Sequence, residues 1–547
     1  MRVSEAIGGT LAGRGVEVFF GLVGSGNFAV VEALCESGVK FHSSRHECGA
    51  VMMADGYARA SGGVGVCSVH QGPGFTNALT GLTEAAKNRT PLVLLAADTP
   101  ASALWSNFKI DQGGIAATLG AIAERVRSPE TAAEDTARSL RRATVERRPV
   151  VLNIPIDLVE EHCPDGEVSI KWPELFAPRP AEESVAAVVE LLADSDRMVI
   201  VAGRGAALSG AKEGLEALGE RTGALLATSA MAHGFFSGNP YAVGIAGGYA
   251  SPLAVVLHGE ADAVLAFGAS LNHWTTRHGR LFPPEARIAQ VDLDKEAIGA
   301  LHHADAGVVG DAAATARALV EELDARSIRK TGFRAPEVAR EIANRRWRDE
   351  PFEDEGTEKF IDPRAFSIAL DDLLPPERAV ATDSGHFQGY PAMYLDVPDH
   401  HGFVFPNAFQ SVGLGLASGI GAAVARPERV SVAAIGDGGA LMAMGEIETA
   451  ARYRIPMIVA IYNDAAYGAE VHHFGPMGRE VSETQFPETD FAALARAAGA
   501  EGITVRDPDD LAPVKEWLGR RDGPLVIDAK VNPEVRAEWL EEAFKAH

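Results

Sequence analysis

Short apolar runs recur along the chain with longer amphipathic segments between them. Positions 64–69, 91–97, 150–154, 198–202, 263–267, 288–291, 430–435, 457–462 and 525–527 read as buried strands. Continuous Val, Ile, Leu and Ala without polar alternation is the pattern of strands covered on both faces. Helical spacing appears in stretches such as 184–192 and 491–498. Strand and helix in alternation predict α/β domains with parallel sheets flanked by helices. Periodicity lapses twice. Residues 165–183 carry three prolines, and residues 330–363 are charge-rich with few apolar positions apart from Trp347 and Phe352. Read as linkers, these two stretches divide the chain into three domains, 1–165, 185–335 and 360–547.

A faint internal repeat bears on this division. Residues 81–98 (GLTEAAKNRTPLVLLAAD) and 445–463 (GEIETAARYRIPMIVAIYN) each place a helix with Glu and small residues before an Arg, then a Pro that opens an apolar strand. Either two αβ units are alike by chance, or the first and third domains share one fold.

Length and charge then limit the function. At 547 residues the chain exceeds one hydrophobic core. A net charge of −25 and a pI of about 5.1 disfavour nucleic acid and anionic membranes as partners. Cys35, Cys48, Cys67 and Cys163 are scattered without a CxxC pair. Together with an N-terminus that lacks a basic start and a long apolar core, this predicts a cytoplasmic protein. The weakly polar stretch 408–425 (AFQSVGLGLASGIGAAVA) is rich in Gly, Ala and Ser and contains Gln410, so it reads as a closely packed interface helix rather than a membrane span.

The sharpest chemistry lies at 430–464. An apolar strand ends in Gly436-Asp437-Gly438-Gly439; a helical stretch, Pro456 and a second strand lead to Asn463. This spacing returns the second strand beside the first, so Asp437 and Asn463 are expected at neighbouring carboxyl strand ends, where open α/β sheets bind ligands. Mg²⁺ prefers hard oxygen ligands and keeps phosphate oxygens as partners. Asp437 and Asn463 offer such oxygens, with a backbone carbonyl near Ala465 as a third. The glycines allow backbone approach to phosphates at a helix N-terminus. Here the sequence resembles the binding motif of the thiamine diphosphate (ThDP) enzymes, with one departure, Asp464 where the family usually has a second Asn.

In the first domain, Arg45-His46-Glu47-Cys48-Gly49-Ala50 leads into Met53-Ala54-Asp55-Gly56-Tyr57-Ala58-Arg59, and His70-Gln71-Gly72-Pro73-Gly74 precedes Asn77. These segments resemble the acetolactate synthase and pyruvate oxidase group, as do 149–157, 379–385 and 413–421. The resemblance spans nearly the whole chain and is weakest in the middle. It implies pyrimidine-binding, central and diphosphate-binding domains, with ThDP and Mg²⁺ as cofactors. Glu47 would share a proton with the aminopyrimidine, the step that activates the cofactor, and Val412 would bend the cofactor beneath its rings. Gly24, Asn77, Ser411, Tyr467 and Gly468 complete the expected cofactor contacts. It also implies a homodimer or homotetramer with active sites between subunits, the helix at 413–425 being a candidate interface element.

The implied activity is carbon–carbon bond formation or cleavage on a 2-oxo acid or 1,2-dicarbonyl substrate, through an acyl-anion (enamine) equivalent passed to an acceptor carbonyl. A decarboxylase or C–C hydrolase with a proton as acceptor is the alternative. His70 is the candidate acid–base group, since histidine titrates near neutrality. Asn27, Gln71, Gln112, His386, Gln388, Glu470, His472 and His473 are candidate pocket residues. Acetolactate synthases also carry FAD in the central domain, but the two arginines expected there are replaced by Ser270 and Trp274, so flavin is not expected. The Gln and Lys of those enzymes' substrate side are not kept near Phe108 and Ala121, which argues against a housekeeping acetolactate synthase. The loop 203–205 (GRG) lacks the full GxGxxG of a nicotinamide site.

Overall fold

The computed structural model describes residues 1–163 and 172–544. The start of the first expected linker, 165–171, lies outside the described residues. Three six-stranded sheets follow one another along the chain, and every strand pair in them is parallel. In spatial order the first contains Lys40–Ser43, Val18–Gly21, Gly65–Val69, Leu92–Asp98, Pro149–Pro155 and Ile122–Arg125. The third contains Phe403–Val404, Arg378–Thr382, Val430–Gly436, Met457–Asn463, Leu525–Lys530 and Glu501–Val505. Numbered within its own sheet, each has the order 2-1-3-4-6-5. The middle sheet runs 3-2-1-4-5-6 around the central pair Met198–Ala202 and Ala263–Phe267, a nucleotide-fold order.

The shared order bears out the internal repeat, and the likeness reaches single residues. Arg89 and Arg454, at matched positions before the prolines, both take left-handed backbone (φ +53° and +51°). After them, the amides of Thr90 and Ile455 bond back to the carbonyls of Ala85 and Ala450, at 2.9 Å in each case.

The small-residue helix is Gly415–Ala425, and it is buried from Gly415 to Ala423. It lies between the first and third sheets of one chain, against helix Glu47–Ser61. That placement corrects the expectation of a subunit-interface element. Glycine permits the crossing, because a Cβ at Gly421 would collide with the Met53 carbonyl and one at Gly56 with the Ser418 carbonyl. Gly421→Val is therefore expected to lower the thermal midpoint sharply, since overpacking a close-packed contact costs roughly 1–3 kcal/mol. An unchanged midpoint by calorimetry would show that the crossing is loose.

In the second expected linker, helix Pro336–Asn344 has no fully buried residue but rests Val338 and Ile342 on the core of the middle domain, and Trp347 anchors the segment by donating from Nε1 to the Tyr249 carbonyl at 2.7 Å. No helix among the described residues is long and apolar enough to cross a membrane.

Candidate active site

The first sheet builds one group of functional residues. Glu47 opens helix Glu47–Ser61 and is buried, with Asn77 Nδ2 donating to its Oε2 at 3.0 Å. A carboxylate in the first turn is favoured by the helix dipole. A Cβ at Gly74 would come within 3.3 Å of Glu47 Oε1 and 3.0 Å of His70 Cβ, so Gly74 lies between the two residues and leaves that carboxylate oxygen approachable. Strand Gly65–Val69 delivers His70. Its Nδ1 donates to the Gln71 carbonyl (2.8 Å), and in that tautomer Nε2 accepts from Ser25 Oγ (3.3 Å). Gly24 gives the ring its space, a Cβ there falling 2.6 Å from Cδ2.

Two expected pocket residues of this half are builders of the loops instead. Asn27 is buried; its Nδ2 donates to the Leu22 carbonyl and Ser68 Oγ, and its Oδ1 accepts from the Gly24 amide. Gln112 is also buried, accepting from the Gly72 amide and donating to the Ala97 carbonyl and Asn153 Oδ1. With their amides consumed, they shape the turns that carry Gly24, His70 and Gly72. Gln71 is buried against Gly26.

The third sheet builds the second group. Strand Val430–Gly436 ends at helix Asp437–Met442, and Gly436 pairs with Tyr462 on the next strand. The glycines hold a tight cradle: a Cβ at Gly438 would lie 2.6 Å from the Tyr467 ring, and one at Gly439 would strike the Asp383 carboxylate. Asp383 accepts from the amides of Ser384 (2.8 Å), Gly413 (3.0 Å) and Leu414 (3.2 Å). It thereby fixes the loop that presents Ser411 and Val412, with Val412 Cγ1 3.3 Å from where a Gly439 Cβ would be. Burial pushes the Asp383 carboxyl up to about 7. Asp383 was not among the expected site residues, although the strand end before it in AVATDSG was a usable signal.

The metal ligands need correction. Asn463 faces the other way: its Nδ2 donates to Asp528 Oδ1 (2.8 Å) and the Thr489 carbonyl (3.1 Å), and its Oδ1 accepts from the Ala465 amide (3.2 Å). The Ala465 carbonyl accepts from the Phe486 amide at 2.8 Å. Side chains alternate along a strand, so the next residue, Asp464, is the one turned toward Asp437. Burial raises both carboxyls well above the usual carboxylate range, and the Asp464 charge adds to the rise at Asp437. Asp464 Oδ2 is buried without a hydrogen-bond partner and lies 3.4 Å from His386 Nδ1. Two facing carboxylates with an orphaned buried oxygen beside a glycine cradle fit a divalent cation and a diphosphate.

A cavity of about 1400 Å³ runs from this cradle to the carboxyl ends of the middle sheet. His386, Gln388, Tyr467, Gly468 and Glu470 line it, and Tyr249, Trp274, Phe405 and Trp539 form its aromatic wall. Gln388 Oε1 accepts from Tyr249 Oη and Asn407 Nδ2, each at 3.1 Å. Burial holds His386 and His472 down at about 4, so both rings are neutral near pH 7. His473 departs from expectation, stacking on Phe544 of the C-terminal helix at 3.8 Å. Trp274 lies over Gly248 and edge-on to Tyr249 and Trp539. An indole thus fills the place where a flavin-contacting arginine was sought, and the residues present do not fit that contact. At 203–205 the chain passes from strand Met198–Ala202 straight into the short helix Arg204–Leu208, with Gly203 as its cap packed on Gly268, where a Cβ on Gly203 would collide with the Gly268 carbonyl. Glu47, His70 and Asn77 do not line this cavity.

Family comparisons agree with the three sheets. Residues 1–115, 185–319 and 383–529 match, in turn, the N-terminal TPP-binding, central and C-terminal TPP-binding domains of thiamine pyrophosphate enzymes. A sulfoacetaldehyde acetyltransferase of Castellaniella defragrans is 31% identical over 97% of this chain and 91% of its own length. A probable acetolactate synthase large subunit of Methanocaldococcus jannaschii is 29% identical over 97% and 92%. A probable 2-ketoarginine decarboxylase of Pseudomonas aeruginosa is 31% identical over 93% and 90%. The chain belongs to the acetolactate synthase-like family of thiamine pyrophosphate enzymes and is a ThDP-dependent enzyme that forms or cleaves carbon–carbon bonds.

Proposed function

We propose that this enzyme is a Mg²⁺-dependent carboligase that takes a 2-oxo acid or 1,2-dicarbonyl donor and transfers its acyl unit to an acceptor carbonyl. The observation that carries this reading is the pair of half-sites on sheets of identical order, one presenting Glu47 and the other Asp437. When bound, ThDP supplies a carbanion for addition to the donor carbonyl and an electron sink for the bond that breaks. Asp437 and Asp464 would hold the Mg²⁺, with the backbone at Ala466 as the third donor; the Ala466 amide already bonds the Asp464 carboxylate. Gly436, Gly438 and Gly439 would admit the diphosphate, and Gly468 leaves room beside Asp464 and His386. Tyr467 and Val412 would support the rings. Glu47 would hold a proton at Oε1, oriented through Asn77, and His70 would move protons at Nε2. Residues 1–165, 185–335 and 360–547 act as the pyrimidine-binding, central and diphosphate-binding domains, and the central domain carries no flavin.

The minimum assembly in this reading is a homodimer. Glu47 and His70 stand apart from the cavity at Gly436–Gly439, and apolar side chains are exposed on both half-sites: Phe108 against His70 with Leu104 and Trp105 in the segment before it, and Leu441 and Met442 on the Asp437 helix. Exposed apolar surface of this kind marks association, and a second copy would bring the two rims together. Cys35, Cys48 and Cys67 form no disulfide among the described residues, as suits a reducing cytoplasm.

The likeness to a probable 2-ketoarginine decarboxylase favours a second reading, in which a proton is the acceptor. A panel of 2-oxo acids and diketones, assayed with ThDP and Mg²⁺ for CO₂ and with products weighed by mass spectrometry, separates the two. Ligated products support the carboligase, and aldehyde alone supports the decarboxylase. Failure of every donor to react would overturn both readings.

A further inference from the structure

Each half-site is followed by a helix, and each helix carries one buried glutamate whose carboxylate reaches across to the other half. Helix Gly445–Arg452 follows the Asp437 helix, and its Glu446 is buried. Glu446 Oε1 accepts from the backbone amides of Arg45 (3.1 Å) and His46 (3.0 Å), the two residues that precede Glu47. Its Oε2 accepts from Thr449 Oγ1 at 2.8 Å, which fixes the carboxylate's plane. A Cβ at Gly49 would collide with Oε1, so the glutamate is pressed against the first turn of the Glu47 helix. Helix Leu79–Lys87 follows Asn77, and its Glu84 is fully buried. Glu84 accepts from the amides of Ala408 (3.0 Å, Oε1) and Phe409 (2.7 Å, Oε2), in the segment that leads to Ser411 and Val412. Asn88 Nδ2 donates to the same carboxylate.

The two helices occupy equivalent places in the repeated fold, each between the third and fourth strands of its sheet. Neither carboxylate is paired with a cation in these contacts; both are spent on main-chain amides of a loop more than 300 positions away. Charged acceptors on amides form strong, short bonds, and an amide left unpaired in a buried site is costly. Such a bond costs least to keep where a loop must hold one conformation.

We propose that Glu446 and Glu84 are reciprocal positioning residues: Glu446 sets the loop that delivers Glu47, and Glu84 sets the loop that delivers Val412. The inference rests on the roles given above to Glu47 and Val412. Its consequence is that the two half-sites of one chain are tied to each other, so a shift in either loop is felt by the helix behind the other.

The test uses the full-length protein with ThDP and Mg²⁺. Cofactor affinity is measured by titration, and deuterium exchange at the cofactor's C2 is measured at saturating ThDP. Glu446→Gln keeps the shape but places an NH₂ donor against backbone donors. It is expected to slow exchange per bound cofactor about tenfold or more, the scale of a hydrogen bond to a charged group, with a smaller change in affinity. Glu84→Gln is expected to weaken ThDP binding about tenfold on the same scale, with exchange at saturation kept. If either variant fails to fold, Thr449→Val or Asn88→Leu, which remove only the group that orients the carboxylate, should give the same split at smaller amplitude. Wild-type exchange and affinity in variants that merely melt earlier would overturn the proposal. Glu47→Gln is the control: if it exchanges normally, the role of Glu47 is wrong, whereas a loss there with none in Glu446→Gln sinks only the positioning role.

Discussion

Glu47→Gln is expected to bind ThDP with near-normal affinity and to lose turnover by about 10² to 10⁴, the range that a positioned proton-transfer group contributes. The side chain keeps its volume, and its carbonyl oxygen still accepts from Asn77 Nδ2, now 3.0 Å from Oε2. The fold should notice little, because among the described residues Glu47 forms no ion pair that the amide would break, and its bond from Asn77 is kept. What disappears is an oxygen able to take and return a proton next to Gly74, where the absence of a side chain leaves the approach open. His70 is a neighbour but not a substitute: its Nδ1 is engaged by the Gln71 carbonyl, and the Nε2 that would move protons stands at Ser25 Oγ rather than on the carboxylate that Asn77 orients. Steady-state turnover, C2 deuterium exchange and a thermal midpoint with ThDP present check this together. Turnover within a few-fold of wild type would remove Glu47 from the mechanism.

Much of the architecture was legible because central parallel strands are buried on both faces and read as unbroken apolar runs. All nine runs named from the sequence are strands, with ends that differ by one to three residues in several cases. Most of the strands not anticipated are short edge strands. Lys40–Ser43, Ile122–Arg125, Ala242–Ile245, Ala306–Val309 and Glu501–Val505 mix buried with partly or fully exposed positions over four or five residues, too few for a period to stand out. Leu225–Thr228 and Arg378–Thr382 were missed although they are buried throughout; each is short, and the second opens on an arginine that is itself buried by its ion pair with Asp371.

The candidate site divides differently. Glu47, Asp437 and the glycines sit at strand ends and helix starts, where local pattern dictates position. Asn27, Gln112 and Asn463 are polar residues near that chemistry whose amides are consumed by Ser68, Asn153 and Asp528, partners at separations the sequence does not display. Asp383, Glu84 and Glu446 are the converse case. They are acidic residues that look like solvated helix or turn positions and are buried because a distant loop needs an acceptor, one on the same sheet for Asp383 and one from the other half-site for Glu84 and Glu446.

The choice between adjacent residues 463 and 464 gives the second large effect. Asp464→Ala is expected to weaken Mg²⁺-dependent ThDP binding by more than about 100-fold, because even outer partners of a metal ligand are worth about 10–100-fold in affinity. Asn463→Ala should leave cofactor affinity little changed and lower stability instead. It takes a donor from Asp528, whose carboxylate also holds the Phe491 amide and Lys530, and an unsatisfied buried group costs about 1–3 kcal/mol. The pH dependence sharpens the contrast. Buried Asp437 and Asp464 keep protons in the folded apo-protein that the unfolded chain releases near the ordinary Asp value of about 3.9. A native pKa above the unfolded one means stability is lost as pH rises from that value through the raised native range. Mg²⁺ displaces those protons, so the stabilisation it confers with ThDP should grow with pH across the same window. In Asp464→Ala the Asp437 carboxyl loses its charged neighbour and the metal loses a ligand, so that growth should flatten, while Asn463→Ala should retain the wild-type slope from a lower baseline. Thermal midpoints of the three proteins with and without Mg²⁺–ThDP, taken over that pH range, decide the matter: a flattened slope in Asn463→Ala and a retained one in Asp464→Ala would return the metal to Asn463.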